Sequence, residues 1–189
     1  MMAEFRDLLK EWGASKPELS ELEMVQDQAN VWRFKVRNFD EDCAGARNLN
    51  ADLAKLKRRD HDFILMEIQF PEDYPRNPFF VRLVSPRMKW YTGHVTAGGS
   101  ICIESLTNSG TPHGWTSTLS VETILRTVFF NFVTAEEGYV RTANGGGKTG
   151  PLRVDLDHQF THDCMNPYSN HEAKAAFDRM LHHHKHHGW

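Results

Sequence analysis

The chain has 189 residues, 40% of them hydrophobic and twelve of them Phe, which suffices for one compact domain with a real core. Its 22 basic and 25 acidic residues are interspersed and leave a formal charge of −3, which excludes the cationic footprint of a nucleic-acid binder. No apolar run approaches the roughly 20 residues needed to span a bilayer, and the start, MMAEFRDLLKEW, mixes acids among its apolar residues unlike a signal peptide. Cys43, Cys102 and Cys164 are too widely spaced for a zinc or disulfide framework. These features predict a cytoplasmic or nuclear protein with protein partners, and neither nucleic acid nor membrane.

In chain order, Phe5, Leu8, Leu9 and Trp12 fall at helical spacing over 3–12, until Gly13 and Pro17 end the pattern. Residues 20–26 and 31–38 alternate apolar and polar around DQAN, as an antiparallel hairpin does. Over 44–59, Ala46, Leu49, Leu53 and Leu56 share one face and KLKRR supplies a basic end suited to a helix C-terminus. Two further strands, DFILMEIQF and FFVRLVSP, flank PEDYPRNP, whose three prolines forbid a helix or a central strand. A four-stranded meander results.

Residues 87–119 carry Gly, Thr and Ser with no sustained period, and function often sits in such loops. A helix is predicted over 120–133, with Ser120 as N-cap and Val121, Ile124, Leu125 and Val128 as its buried stripe. NGGGKTGP at 144–151 reads as a flexible break and lacks the spacing of a phosphate-binding loop. The last helix is predicted over 170–182, ending in HHHKHHGW. Imidazoles at i, i+4 can chelate, but no acid or cysteine completes a set at this frayed end, so no metal is expected.

TGHVTAGGSICIESL, residues 92–106, places Cys102 between two branched aliphatic residues and eight positions after His94. From the pattern alone, Cys102 is either a small buried hydrophobe or a nucleophile at a loop edge served by His94.

The order of elements resembles the ubiquitin-conjugating enzyme family. FPEDYPRNPFFVRLVSP (70–86) is similar to that family's Tyr-Pro-x-x-Pro turn and fourth strand, GGSICIESL to its Gly-x-x-Cys stretch, and GWTSTLSVETIL to the Trp that opens its central helix. The extra helix at 44–59 and the ending HKHHGW resemble its divergent Q-type branch. The resemblance implies an α+β fold across residues 1–189 as a single catalytic domain: a four-stranded antiparallel meander flanked by helices, with an extra helix between strands 2 and 3. It implies that Cys102 receives the C-terminal carboxylate of ubiquitin or a ubiquitin-like protein as a thioester from an activating enzyme. The acyl group then passes to an amine, thiol or hydroxyl. ATP is consumed by the activating enzyme, so no cofactor is expected here. A thiol suits the role because it is nucleophilic near neutrality and its thioester stays reactive toward amines. Gly98, Gly99 and Ser100 would let the modifier's tail lie close to the backbone, and Cys43 and Cys164 read as structural.

The family's His-Pro-Asn ends eight residues before its cysteine. Thr92, Gly93 and His94 stand there instead, and Q-type enzymes also lack the tripeptide. The ring of His94 is a candidate oxyanion donor or base, against the reading of a loop histidine bonded to backbone. Twelve residues separate Cys102 from Trp115, more than is usual; this insertion makes His113 a second candidate base, and Glu104 a candidate to orient a lysine ammonium. The surface that docks RING-type ligases is altered at Arg76 and at Thr116, Ser117 and Thr118, which makes standard RING pairing doubtful. The exposed face of the central helix is expected to hold the donor ubiquitin. Two other readings are an adaptor that binds ubiquitin with little turnover, and a cysteine hydrolase using Cys102 with His94 or His113.

Overall fold

Alternation along the strand segments resolves into one antiparallel sheet ordered β1 (Glu18–Val25), β2 (Gln28–Arg37), β3 (Ile64–Gln69) and β4 (Phe80–Ser85). The computed structural model describes residues 4, 7–8, 10, 12, 15–25, 28–142 and 145–187. Register pairs Trp32 with Ile68, Phe34 with Met66, and Met66 with Leu83. Side chains alternate across a strand, so these residues share one face, and all are buried. The same register brings Arg33, Glu67 and Arg82 together on the other face. There the Glu67 carboxylate accepts from Arg33 Nε at 2.7 Å, Arg82 Nε at 2.9 Å and Gln69 Nε2 at 2.8 Å. A carboxylate that is only 2% exposed is tolerable because its oxygens are met by cations and donors.

Helix α1 (Ala44–Leu56) follows β2 and buries Ala46, Leu49, Leu53 and Leu56, the face its spacing predicts. Cys43 caps it, its sulfur accepting the Ala46 N–H at 3.5 Å. Helix α2 (Val121–Thr134) opens on Ser120, whose hydroxyl accepts the Thr123 N–H at 3.1 Å. It lays Val121, Ile124, Leu125, Val128, Phe129 and Phe132 into the core. Near the N-terminus, Glu4, Asp7, Leu8, Lys10 and Trp12 are helical, and Trp12 packs edge-on to Phe129 at 5.4 Å. The predicted contacts of Phe5 and Leu9 lie outside the described residues.

Two expectations are corrected. The stretch read as a flexible break contributes to a hairpin, β5 (Gly138–Thr142) with β6 (Gly145–Thr149), because backbone pairing needs no side-chain pattern that a glycine run could display. The last helix, α3 (Asn170–His187), extends five residues past the predicted end. Histidine is a middling helix former and does not break a helix, so the His run continues α3 and does not fray from it. Among the described residues no helix is long and apolar enough to cross a membrane.

Candidate active site

Cys102 is held on an extension of the sheet. Beyond β4, Ser100 bridges Arg82, Leu83 N–H donates to Gly99 O at 2.8 Å, and Ile101 N–H donates to Val81 O at 3.2 Å. Ile101 and Ile103 are buried on one side, and strand-like alternation turns the cysteine between them the other way. The Cys102 N–H then donates to His94 O at 2.8 Å, fixing the nucleophile's backbone to the loop that stands where the family's tripeptide would be.

The half-buried thiol opens into a cleft of about 460 Å³. His94, Glu104 and His113, all singled out by sequence, line this cleft with Cys102. Helix α2 adds Thr123, Thr127 and Asn131, a stripe at i, i+4 and i+8 that helical periodicity could have revealed. The C-terminal end of α3 adds His184, whose Nε2 lies 3.7 Å from Cys102 Sγ. Sequence reasoning did not find His184, because a residue 82 positions away meets the cysteine only through tertiary packing. Burial pushes the Cys102 thiol up to about 11; the neutral thiol is favoured in this setting, and a neighbouring base is what would release the nucleophile.

Each predicted residue has a definite place. His94 has a left-handed φ of +56°, an exposed ring toward the cleft and a carbonyl committed to Cys102. His113 is exposed, and its backbone N–H donates to Thr111 Oγ1 at 3.2 Å. The carboxylate of Glu104 accepts from the Thr111 hydroxyl, which occupies it in folding the insertion back on itself. Gly98 and Gly99 are held small by packing within the chain. A Cβ on Gly98 would sit 2.4 Å from Glu172 O, and one on Gly99 2.6 Å from the Tyr168 ring, so both are needed for α3 and its approach segment to pack. Among the described residues no cluster of three or more His, Cys, Asp or Glu side chains is close enough to hold a metal ion.

Residues 60–137 match the family model described as ubiquitin-conjugating enzyme. The human ubiquitin-conjugating enzyme E2 Q-like protein 1 is 29% identical over 168 residues, covering 89% of this chain and 85% of its own. The human ubiquitin-conjugating enzyme E2 Q1 is 29% identical across 100% of this chain. The chain is similar to the ubiquitin-conjugating enzyme family. It spans 38% of the length of the latter relative. A ubiquitin-conjugating enzyme from Plasmodium falciparum has a related fold, with a TM-score of 0.51 at 17% identity over 71% of this chain and 96% of that one. Trp115, matched to the family's tryptophan in sequence, anchors the approach to α2: its Nε1 donates to Pro75 O at 3.0 Å, and its ring packs on Tyr74 and Phe79. Around that anchor the surface is polar, with Arg76 and Thr116–Thr118 exposed and Asn108 of the insertion bonded to Asn77 of the proline turn.

Proposed function

We propose that Cys102 carries ubiquitin as a thioester, with His184 as the base that takes its proton. The observation that supports this is the 3.7 Å approach of His184 Nε2 to Cys102 Sγ within a cleft open to solvent. In charging, the thiol proton passes to Nε2 as the sulfur attacks the thioester carbonyl presented by an activating enzyme. The tetrahedral adduct collapses, a new C–S bond remains, and the activating enzyme's thiolate leaves. In discharge, an amine, thiol or hydroxyl attacks the same carbonyl, gives up its proton to the imidazole, and expels the Cys102 thiolate. An imidazole nitrogen can accept a proton and return it, and so can serve both steps. Ubiquitin and an activating enzyme are the partners this reading requires. A ligase, where one assists, docks on a surface whose apolar anchor is replaced by Arg76, so RING pairing of the usual kind is weak. Localisation follows the cytoplasmic or nuclear ubiquitin system, and residues 1–189 act as one catalytic unit.

The test is incubation with activating enzyme, ATP and ubiquitin, followed by gels with and without reductant. The expected result is an adduct sensitive to thiols and absent in Cys102→Ala. Ubiquitin binding with no adduct, for ubiquitin and for ubiquitin-like modifiers alike, would instead make the chain an adaptor.

A further inference from the structure

Helix α1, the extra element between β2 and β3, carries a buried carboxylate at the edge of its apolar stripe. Asp52 is 1% exposed. Its oxygens accept from Arg153 Nε at 2.6 Å, Arg153 Nη2 at 3.0 Å and the Val154 N–H at 3.3 Å. A bidentate guanidinium with a backbone donor is the geometry that makes burial of a carboxylate tolerable, and it fixes orientation as well as charge. The segment held in this way, residues 150–154, is not an arbitrary neighbour. It is the layer directly behind the loop that supports the cysteine.

The contacts run without a gap. Arg153 O accepts the Lys89 N–H at 2.8 Å, and the Arg153 N–H reaches Thr92 Oγ1 at 3.4 Å. Thr92, itself buried, donates its hydroxyl to Lys89 O at 2.7 Å. Gly93 N–H donates to Gly150 O at 2.8 Å. At φ +59°, with a Cβ site 2.6 Å from Leu152 Cβ, only glycine lets the loop lie this close to the segment. His94 then holds the Cys102 N–H. The helix side is equally tight: a Cβ on Gly45 would meet Val133 O at 2.0 Å and Pro151 Cβ at 2.8 Å, and Leu152 N–H donates to Phe132 O at 2.6 Å. Helix α1 and the end of α2 therefore clamp residues 150–154 from two sides.

We infer that Asp52, Arg153 and Thr92 are positioning residues for the reaction at Cys102, and that α1 serves as a brace holding the loop of Thr92, Gly93 and His94 in register with the nucleophile. The reading rests on the proposed role of Cys102 but does not depend on it for its test. A loop that lacks an asparagine to tie it internally is tied externally, through a hydroxyl, a guanidinium and a carboxylate on an added helix. Displacement of a reacting group by as little as an ångström costs rate steeply, so the brace acts on catalysis and not only on folding.

The experiment compares Thr92→Val and Arg153→Met with the conservative Thr92→Ser and Arg153→Lys in the full chain. Two quantities are read: amide hydrogen exchange at Cys102, with Ile101, bonded to Val81, as reference, and steady-state discharge of preformed thioester. Thr92→Val and Arg153→Met are expected to speed Cys102 exchange about tenfold relative to Ile101. They should lower discharge kcat about tenfold with the acceptor KM unchanged. Thr92→Ser and Arg153→Lys should restore both to within about threefold, and the double variant should be no worse than the worse single one, as members of one chain behave. Exchange at Cys102 and Ile101 rising together, or kcat per folded molecule equal to wild type, would overturn the inference. Hydrogen exchange uses the protein alone, so a chain that never accepts ubiquitin would sink the carrier reading while leaving the brace decided either way.

Discussion

At Cys102 two tendencies oppose each other: burial drives the thiol up to about 11, while the reaction needs a thiolate. A group with that value is ionised in only about one molecule in 10⁴ at neutral pH, so spontaneous ionisation cannot supply the nucleophile efficiently. In the proposed mechanism His184, 3.7 Å from the sulfur, resolves the conflict by taking the proton as the sulfur attacks. His184→Ala is expected to slow charging and discharge by about a hundredfold or more, measured by single-turnover quench from a loaded activating enzyme. His94 is different, since its bond to Cys102 is made by its carbonyl. Asparagine tolerates the left-handed backbone of that position, so His94→Asn should leave charging within about threefold of wild type. The same assay checks it. Of these residues the sequence pattern showed Cys102, His94, His113 and Glu104, which all fall within residues 94–113. It could not show His184, nor that Glu104 is engaged by Thr111, because both depend on which surfaces fold together.

Helix α3 brings His184 to the cysteine, and it is anchored through its N-terminal half. Arg87 grips Glu172 through two bonds of 2.6 and 2.9 Å, Phe80 meets Phe177 edge-on at 5.4 Å, and the helix lies against Gly98. Gly98→Ala places a Cβ 2.4 Å from the Glu172 carbonyl oxygen. The backbone must shift, at a cost of roughly 1–3 kcal/mol, readable in urea unfolding. The same variant should slow charging in the wild-type background and have little further effect on His184→Ala, because both lesions act through one imidazole. Helices α1 and α2 were legible from apolar spacing and a serine cap. The extent of α3 was not, because a histidine run carries no apolar stripe, and the β5–β6 hairpin was not, because Gly145–Thr149 has three glycines and no alternation. In both cases the element is set by backbone pairing or by neighbours, neither of which leaves a mark on hydrophobic periodicity.

Across the molecule, the sheet separates an apolar inner face from an outer face where charge is buried under the approach to α3. Burial acts to raise the Glu67 carboxyl, but hydrogen bonds from Gln69, Arg82 and Arg33 outweigh it and hold it below its ordinary 4.5. The Arg87 side chain does the same for Glu172. Groups lowered by folding contribute stability that is complete above the unfolded value and is lost as pH falls through the folded one. Through these two carboxylates, urea midpoints are expected to fall as pH drops below about 4.5, with a shallower fall in Glu67→Gln. Arg82→Met takes one of two guanidinium partners from the buried Glu67 carboxylate, leaving Arg33, and should cost about 1–3 kcal/mol at pH 7. The meander was largely readable because most inner-face side chains alternate with polar ones, as Trp32, Phe34 and Val36 do with Arg33, Lys35 and Arg37, although Leu65, Phe80 and Val84 break the pattern. The Arg33–Glu67–Arg82 network was not, since those charges look solvent-facing until the C-terminal segment covers them.

The most direct measurement is the pH dependence of single-turnover charging, from ubiquitin-loaded activating enzyme, for wild type and His184→Ala. With the imidazole as base, the wild-type rate rises with pH far less steeply than ionisation of the free thiol would. In the variant it is far lower at neutrality and climbs about tenfold per pH unit toward the thiol's own value near 11. Superimposable profiles would contradict the pairing of Cys102 with His184.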